Sequence, residues 1–295
     1  MHDRLDRWSS STMTPVPDVT TIVIAWNVRD ELSACFQSLR DHAGPLTLEV
    51  IYVDNGSTDG SADLVAERFP EVTIVRRPTN EGVPARNHGL RLARGRYRML
   101  LDSDARLTAG ALPALVAVLE ANPRIGLVGP RLVYPDGSLQ LSCRRFPPLA
   151  LPVLRRPPLG RFFEDGPTVR HHLMVDDPHD RQRQVEYVLG ACQVFRAEAQ
   201  QAAGEFDPAI WYGHDDAHWC FSVRMAGYDV VYVPQAVVVH DYRRTSAARP
   251  LSMLSLRMLQ AHVHFQRTWR RHRSRLIAEG REMDREAEEA LARPC

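Results

Sequence analysis

The sequence lacks the cysteine patterns that hold small secreted domains or zinc fingers together. Its five cysteines are an odd number and widely scattered, and no pair has the spacing of a metal finger. They are Cys35, Cys143, Cys192, Cys220 and Cys295. We therefore predict free thiols in a reducing compartment.

Long apolar segments are also missing. No run approaches the roughly 18 apolar residues that a membrane-spanning helix needs. The N-terminal region carries charged residues where a secretory signal would have an apolar core. We therefore expect a cytoplasmic protein, and peripheral contact with the inner face of the membrane stays open.

An excess of charge of one sign is equally absent. The chain has 37 lysine and arginine residues against 36 aspartate and glutamate residues, a formal net charge of +1. Binding to nucleic acid through overall charge is therefore not expected. Charged residues at 25% and apolar residues at 44% are ordinary for a globular protein, and 295 residues suffice for one large domain or two smaller ones.

Apolar, β-branched runs alternate with segments of helical periodicity in the first part of the chain. Buried strands are predicted at 19–25, 48–53, 72–75 and 97–101, and the helix before the last of these is predicted to end at Gly95. This alternation predicts an α/β fold with a mostly parallel, Rossmann-like sheet and helices on both faces. Ligands bind such sheets beyond the carboxyl ends of the strands.

The most informative motif is Asp102-Ser103-Asp104, directly after the fourth predicted strand. Side chains two residues apart on an extended chain point the same way, so the two carboxylates can converge on one cation. Mg²⁺ or Mn²⁺ takes oxygen ligands and bridges to phosphate oxygens, which suits a nucleotide-diphosphate leaving group. Because aspartate and serine also favour turns for local reasons, the motif gains weight only from its surroundings.

The chain divides into three parts of different character. Residues 1–18 are polar and contain prolines, and they are predicted to be a flexible lead-in. A domain at 19–245 includes the proline-rich segment 144–184, predicted to be an irregular loop that is either functional or a solvated linker. In the predicted helical extension at 246–295, apolar residues recur among arginines. This extension either docks on the domain or lies on an anionic membrane.

Several motifs, in this order, resemble the family 2 glycosyltransferases, which are inverting enzymes of the GT-A fold. They are 21–27, 53–61, Asn80-Glu81-Gly82, Arg86-Asn87-His88-Gly89, Asp102-Ser103-Asp104, Gly190-Ala191-Cys192, 204–208 and Asp215-Asp216. The ordered set is far more specific than any single element. The residues that resemble the rhamnosyltransferase-like branch are Gly129-Pro130-Arg131-Leu132, Asp136-Gly137 and Arg144-Arg145-Phe146-Pro147.

The resemblance implies a site for a nucleotide-diphosphate sugar. Asp54 would accept a hydrogen bond from the imide of a pyrimidine base, and the alternative is a local turn bond. Arg86 would approach the diphosphate or the sugar, and the alternative is a solvated surface charge. The full predicted nucleotide-binding set is Ala25, Trp26, Asn27, Asp54, Asn55, Gly82, Arg86, Asp102 and Ser103.

The resemblance also implies a metal site and a general base. Asp104 would hold Mg²⁺ or Mn²⁺ directly, and Asp102 would reach the ribose or, through water, the metal. His240 would be a further ligand or else a structural histidine. Asp216, beside Asp215, would deprotonate the acceptor, because adjacent carboxylates raise one another's pKa. A helix N-terminus also favours aspartate there. At position 218 the family commonly has an acid, and this chain has a histidine.

These implications predict the transfer of a sugar, with inversion, from dTDP-rhamnose or a UDP-hexose. The acceptor would be a hydroxyl of a glycan, a lipid-linked saccharide or a small molecule, with donor binding in 19–130 and acceptor binding in 131–245. Nucleotidyl transfer is an alternative, although residues 25–28 offer no glycine for a phosphate loop. A non-catalytic nucleotide-sugar binder is another, although it would not need Asp216. A homodimer is compatible with the sequence.

Overall fold

The strands and helices of the protein alternate as the sequence predicts. The computed structural model describes residues 15–154, 160–163, 165–242 and 252–278. Most of the predicted lead-in (1–14) and both ends of the predicted C-terminal extension (246–251 and 279–295) lie outside these residues.

The strands of the described residues are β1 (Val19–Ala25), β2 (Leu48–Asp54), β3 (Thr73–Arg76), β4 (Tyr97–Asp102), β5 (Ala105–Leu107), β6 (Ile125–Val133), β7 (Leu139–Gln140), β8 (Cys143–Arg144), β9 (Arg183–Gln184), β10 (Tyr187–Val188), β11 (Cys192–Arg196) and β12 (Asp229–His240). The helices are α1 (Arg29–His42), α2 (Ser61–Arg68), α3 (Arg86–Leu92), α4 (Ala111–Ala121), α5 (Leu151–Leu154), α6 (Gly160–Phe163), α7 (Pro167–Leu173), α8 (Ala197–Ala203), α9 (Asp215–Met225) and α10 (Met253–Ala278). A 3-10 turn, Val83–Ala85, precedes α3.

One large sheet organises these elements, with the strand order β3-β2-β1-β4-β11-β6-β12-β5. The first four strands are parallel neighbours. Beyond them β11 runs antiparallel to both β4 and β6, so the second half of the sheet is mixed. The predicted α/β fold is confirmed, and the carboxyl ends of β1, β2 and β4 lie side by side.

Helices cover both faces of the sheet. The helices α1, α2 and α4 bury Phe36, Val65 and Leu115 in the hydrophobic cluster on one face. The helices α3, α9 and α10 bury Leu90, Phe221 and Phe265 in the cluster on the other face. Because successive strand residues point to opposite faces, a strand covered on both sides is buried at consecutive positions, as 19–23 of β1 are.

The predicted end of α3 at Gly95 is wrong, because the helix ends at Leu92. Gly95 instead allows two backbones to approach closely. A Cβ atom at this position would lie 2.5 Å from the backbone nitrogen of Thr20, and the Gly95 N–H donates to Thr20 Oγ1 at 2.8 Å. The glycine therefore serves packing against β1 rather than the end of a helix.

The long helix α10 docks on the domain, which is one of the two expected alternatives. The ring of Phe265, fully buried, lies 5.5 Å from that of Phe146, between ring centroids. The Gln266 side chain donates to the Pro147 carbonyl at 2.6 Å. These contacts hold the start of segment 144–184 against α10. The described residues of this segment form three short helices, so it is not the wholly irregular loop that the sequence predicts.

Across the described residues, α10 included, no helix combines the length and the apolar character that crossing a bilayer requires.

Candidate active site

The loops that follow β1 and β2 are joined by side-chain hydrogen bonds. The Asn27 N–H donates to Ser57 Oγ at 3.0 Å, and the Thr58 N–H donates to Asn27 Oδ1 at 2.8 Å. Asn27 has φ of 54°, a left-handed conformation that asparagine tolerates better than most residues. Ala25 is buried beneath these loops, and Trp26 is exposed beside them.

Asp54 lies buried at the end of β2, and its contacts involve one carboxylate oxygen. Asp54 Oδ1 accepts the Ser57 N–H at 3.2 Å and the Tyr52 hydroxyl at 3.3 Å. Among the described residues no donor reaches Oδ2. The local turn bond is therefore present, and the second oxygen remains compatible with a ligand.

Asn55 and Gly82 position the loop before α3. The Asn55 amide donates to Asn80 Oδ1 and to the Gly82 carbonyl, at 3.0 and 3.1 Å, while its Oδ1 accepts the Glu81 N–H at 2.9 Å. Gly82 has φ of 73°, and a Cβ atom there would lie 2.2 Å from the Trp211 carbonyl oxygen. Both residues therefore hold backbone in place rather than presenting free polar groups.

Arg86 connects the two acidic motifs of the sequence. Its Nη2 bonds to Asp102 Oδ1 at 2.8 Å and its Nη1 bonds to Asp215 Oδ2 at 2.9 Å, although Arg86 and Asp215 are 129 residues apart. The side chain is only 7% exposed, so the surface-charge alternative is wrong. Its guanidinium also lies 5.6 Å from the centre of the Phe206 ring. One permanent cation thus sits between two carboxylates.

Asp102, Asp104 and His240, the three predicted metal ligands, lie close together. Their potential ligand atoms lie within 4.8 Å of one another, and His240 Nε2 is 3.3 Å from Asp104 Oδ1. Gln140 Oε1 lies 2.6 Å from His240 Nδ1, so the other ring nitrogen faces the aspartates. Ser103 and Asp104 form the turn between β4 and β5. Two carboxylates and an oriented imidazole suit Mg²⁺ or Mn²⁺.

Asp216 lies in the first turn of α9, where its Oδ1 accepts the Ala217 N–H at 2.8 Å. Burial and then the charge of Asp215 raise the pKa of Asp216 to about 7, against the opposing charge of Arg144. A carboxyl group with this pKa can exchange a proton near neutral pH. The helix-end and functional interpretations of Asp216 are thus compatible.

The sequence interpretation missed several residues of this region. Gln140 orients His240, and Trp211 packs on Gly82. Arg144, which belongs to a motif that resembles the rhamnosyltransferase-like branch, lowers the pKa of Asp216 through its positive charge. None of these roles has a local sequence signal, because each arises from contacts between distant parts of the chain.

Comparisons with known proteins point to one family. The family described as "Glycosyl transferase family 2" matches residues 20–197. An N-acetylglucosaminyl-diphospho-decaprenol L-rhamnosyltransferase of Mycobacterium tuberculosis is 27% identical, over 70% of this chain and 71% of its own length. A pre-mycofactocin glycosyltransferase of the same species is 30% identical, over 77% of this chain and 43% of its own length.

Among solved structures, a mannosyltransferase from Pyrobaculum calidifontis in complex with GDP-Man and Mn²⁺ is similar in fold. Its TM-score is 0.55 at 25% identity. The alignment covers 79% of this chain and 59% of the mannosyltransferase chain. The chain therefore spans less than two thirds of the length of this structure.

Proposed function

Because the chain belongs to glycosyl transferase family 2, we propose that it transfers a sugar, with inversion, from a nucleotide-diphosphate sugar to a hydroxyl acceptor. The observation that carries this proposal is the position of Arg86. Its guanidinium joins Asp102, of the candidate metal group, to Asp215, the neighbour of the candidate base. The residues proposed to stabilise the leaving group and those proposed to activate the acceptor would therefore face the same cleft. A non-catalytic binder would need only the first of these groups, and the family assignment disfavours nucleotidyl transfer.

The donor would lie across the carboxyl ends of β1, β2 and β4. Asp54 Oδ2 would accept the imide of the base, and residues 25–27 would line the same pocket. Asp102, Asp104 and His240 would hold Mg²⁺ or Mn²⁺. When bound, such a cation stabilises the negative charge that develops on a departing diphosphate.

Asp216 would act as the general base. Its carboxylate would take the proton of the acceptor hydroxyl while that oxygen forms a bond to the anomeric carbon. The bond between the anomeric carbon and the diphosphate oxygen breaks on the opposite face, which inverts the configuration. Asp215 would support this step, because its charge raises the pKa of Asp216.

We infer dTDP-rhamnose, with UDP-hexoses next, as the donor to test first. The similar mycobacterial rhamnosyltransferase is aligned over 71% of its length, and its name describes an acceptor with a lipid diphosphate. An acceptor of that chemical class, a saccharide on a lipid diphosphate, is our proposal for residues 131–245.

A thermal-shift screen of nucleotide sugars with Mn²⁺ or Mg²⁺ tests the donor and the metal together. A ligand at 100 times its Kd stabilises the folded state by about 2.7 kcal/mol, which raises Tm by several degrees. We expect the largest shift with dTDP-rhamnose and the divalent ion together. Asp104→Asn should lose the part of the shift that depends on metal. If no nucleotide sugar moves Tm of the wild type, the donor proposal fails.

The exposed face of α10 supports contact with an anionic membrane at which a lipid-linked acceptor is presented. Residues three or four apart on a helix share a face. The exposed stripe, as we call it, consists of apolar Met253, Leu256, Leu259 and Val263, followed by Arg267, Arg270 and Arg271. The sequence 253–278 contains no acidic residue. Apolar and cationic side chains on one face suit the boundary between lipid tails and phosphate headgroups.

Leu256→Glu should weaken membrane binding, because it places a negative charge in the apolar part of the exposed stripe. We expect the wild type to sediment with phosphatidylglycerol vesicles and not with phosphatidylcholine vesicles, and the variant to bind about tenfold more weakly. Leu92→Glu makes the same change at an exposed position in α3 and should bind as the wild type does. Equal binding of both variants would refute the proposal. So would a dimer buried at this stripe, detected by light scattering.

A further inference from the structure

A second group of potential metal ligands shares no residue with the candidate active site. We call Asp207, His218 and His264 the histidine cluster. One potential ligand atom from each lies within 4.8 Å of the others. Asp207 follows α8, His218 belongs to α9 and His264 belongs to α10. Three separate elements therefore bring two imidazoles and a carboxylate to one point.

The distances in the histidine cluster are close to those between ligands of one small cation. His264 Nε2 lies 2.8 Å from Asp207 Oδ2, and His218 Nε2 lies 3.9 Å from the same oxygen. Ligands bonded to tetrahedral Zn²⁺ at about 2.0–2.1 Å are roughly 3.3 Å apart. The two observed separations bracket that value, so small side-chain movements would suffice to close the group on an ion.

A backbone hydrogen bond orients the carboxylate of the histidine cluster. Asp207 Oδ1 accepts the Ala209 N–H at 2.8 Å, which directs Oδ2 toward the histidines. The ring of His218 forms no hydrogen bond within the described part of the chain, although its side chain is only 13% exposed. Pairing of Asp207 with His264 therefore leaves the second histidine, 3.9 Å from Asp207 Oδ2, without a hydrogen bond of its own among the described residues.

Solvent reaches the cluster, so an ion can enter and water can complete its coordination. The exposed fractions of the Asp207 and His264 side chains are 29% and 35%. Two imidazoles with one carboxylate are a donor set that favours Zn²⁺ over Mg²⁺. The Asp102, Asp104 and His240 group has the opposite balance, with two carboxylates and one imidazole.

We propose that the histidine cluster binds a transition-metal ion and that its donor set selects Zn²⁺. The ion would link α10 to α9 and to the loop after α8. Its position differs from that of the proposed donor metal, and it takes part in no step of sugar transfer. The ion would hold α10 on the domain, because His264 is the ligand that comes from this helix. The proposal therefore goes beyond the proposed function and can fail independently of it.

Calorimetric titration of Zn²⁺ into tag-free, chelator-treated protein with excess Mg²⁺ tests the site. The Asp104→Asn background weakens the oxygen-rich group, so that the histidine cluster is measured alone. We expect one equivalent of Zn²⁺ to bind in this background, and His264→Gln to lower the affinity by at least about tenfold, as loss of even an outer-shell partner does. His272→Ala, on the same helix, should leave the affinity unchanged.

Two further measurements test metal binding at the histidine cluster independently of calorimetry. Bound Co²⁺ should give the visible absorption of a tetrahedral site in Asp104→Asn, and that absorption should be lost when His264→Gln is added. Zn²⁺ should also raise Tm of Asp104→Asn more than Tm of the double variant. Unchanged Zn²⁺ affinity in His264→Gln, or no Zn²⁺ binding to the Asp104→Asn protein, would overturn the proposal. His218→Gln serves as the second variant if His264→Gln fails to fold.

Discussion

Asp216→Asn is expected to lower kcat by about 10²- to 10⁴-fold, the usual contribution of a general base. Asparagine has nearly the same shape as aspartate but cannot take up the acceptor proton. Because Asp216 is not among the residues proposed to bind the nucleotide sugar, the Kd of that donor should stay unchanged. Steady-state kinetics together with donor titration separate these two quantities.

The pH dependence of the wild type gives a second readout of the same residue. Because burial and Asp215 raise the pKa of Asp216 to about 7, kcat/KM should rise with pH until the carboxylate is fully ionised above that value. Asp215→Asn removes one of the two causes of the raised pKa, so the rising limb should move to lower pH. Asp216→Asn should lose this limb.

Stability measurements show whether a loss of activity in Asp216→Asn comes from misfolding. Between the ordinary value of 3.8 and about 7, the folded protein binds a proton at Asp216 that the unfolded chain has released. Stability contributed by this group therefore falls as pH rises through that window. Asp216→Asn should remove the fall and be at least as stable as the wild type at pH 8. Equal kcat for a folded variant would refute the assignment of Asp216 as the base.

Arg86→Met is expected to lower both activity and stability, because it leaves Asp102 and Asp215 without their shared cation. Removing one partner of a buried ion pair costs about 3–5 kcal/mol. Arg86 links the proposed metal group to the neighbour of the proposed general base. Loss of this link should reduce kcat/KM by at least about 10²-fold. Urea unfolding at pH 8 measures the first effect, and the deficit should shrink as pH falls, because burial raises the pKa of Asp102.

Arg91→Met provides the matched control on the same helix. Arg91 pairs with Glu205 at the surface, where its side chain is 55% exposed, and such pairs contribute about 0–1 kcal/mol. Arg86→Lys keeps the charge but not the two-pronged geometry, so it should recover part of the stability and little of the activity. A loss of stability in Arg86→Met no larger than in Arg91→Met would contradict the bridging role.

Much of the architecture could be predicted from local patterns. The strand predicted at 19–25 is β1 with the same bounds, since a β-branched apolar run leaves few alternatives. Family membership and the GT-A fold, predicted from the ordered motifs, are confirmed. The predicted end of α3 is wrong, because Gly95 is required by its close approach to the backbone of β1 and not by the end of the helix.

Local patterns of residues are enough to identify the family, the alternation of strands and helices, and the polar motifs that follow the strands. These properties depend on residues that are close together along the chain. Three features follow from tertiary packing instead: Arg86 is buried between Asp102 and Asp215, Gln140 orients His240, and α10 docks on the domain. Such contacts join segments up to 129 residues apart, so they depend on how the sheet and helices pack, which no local pattern records.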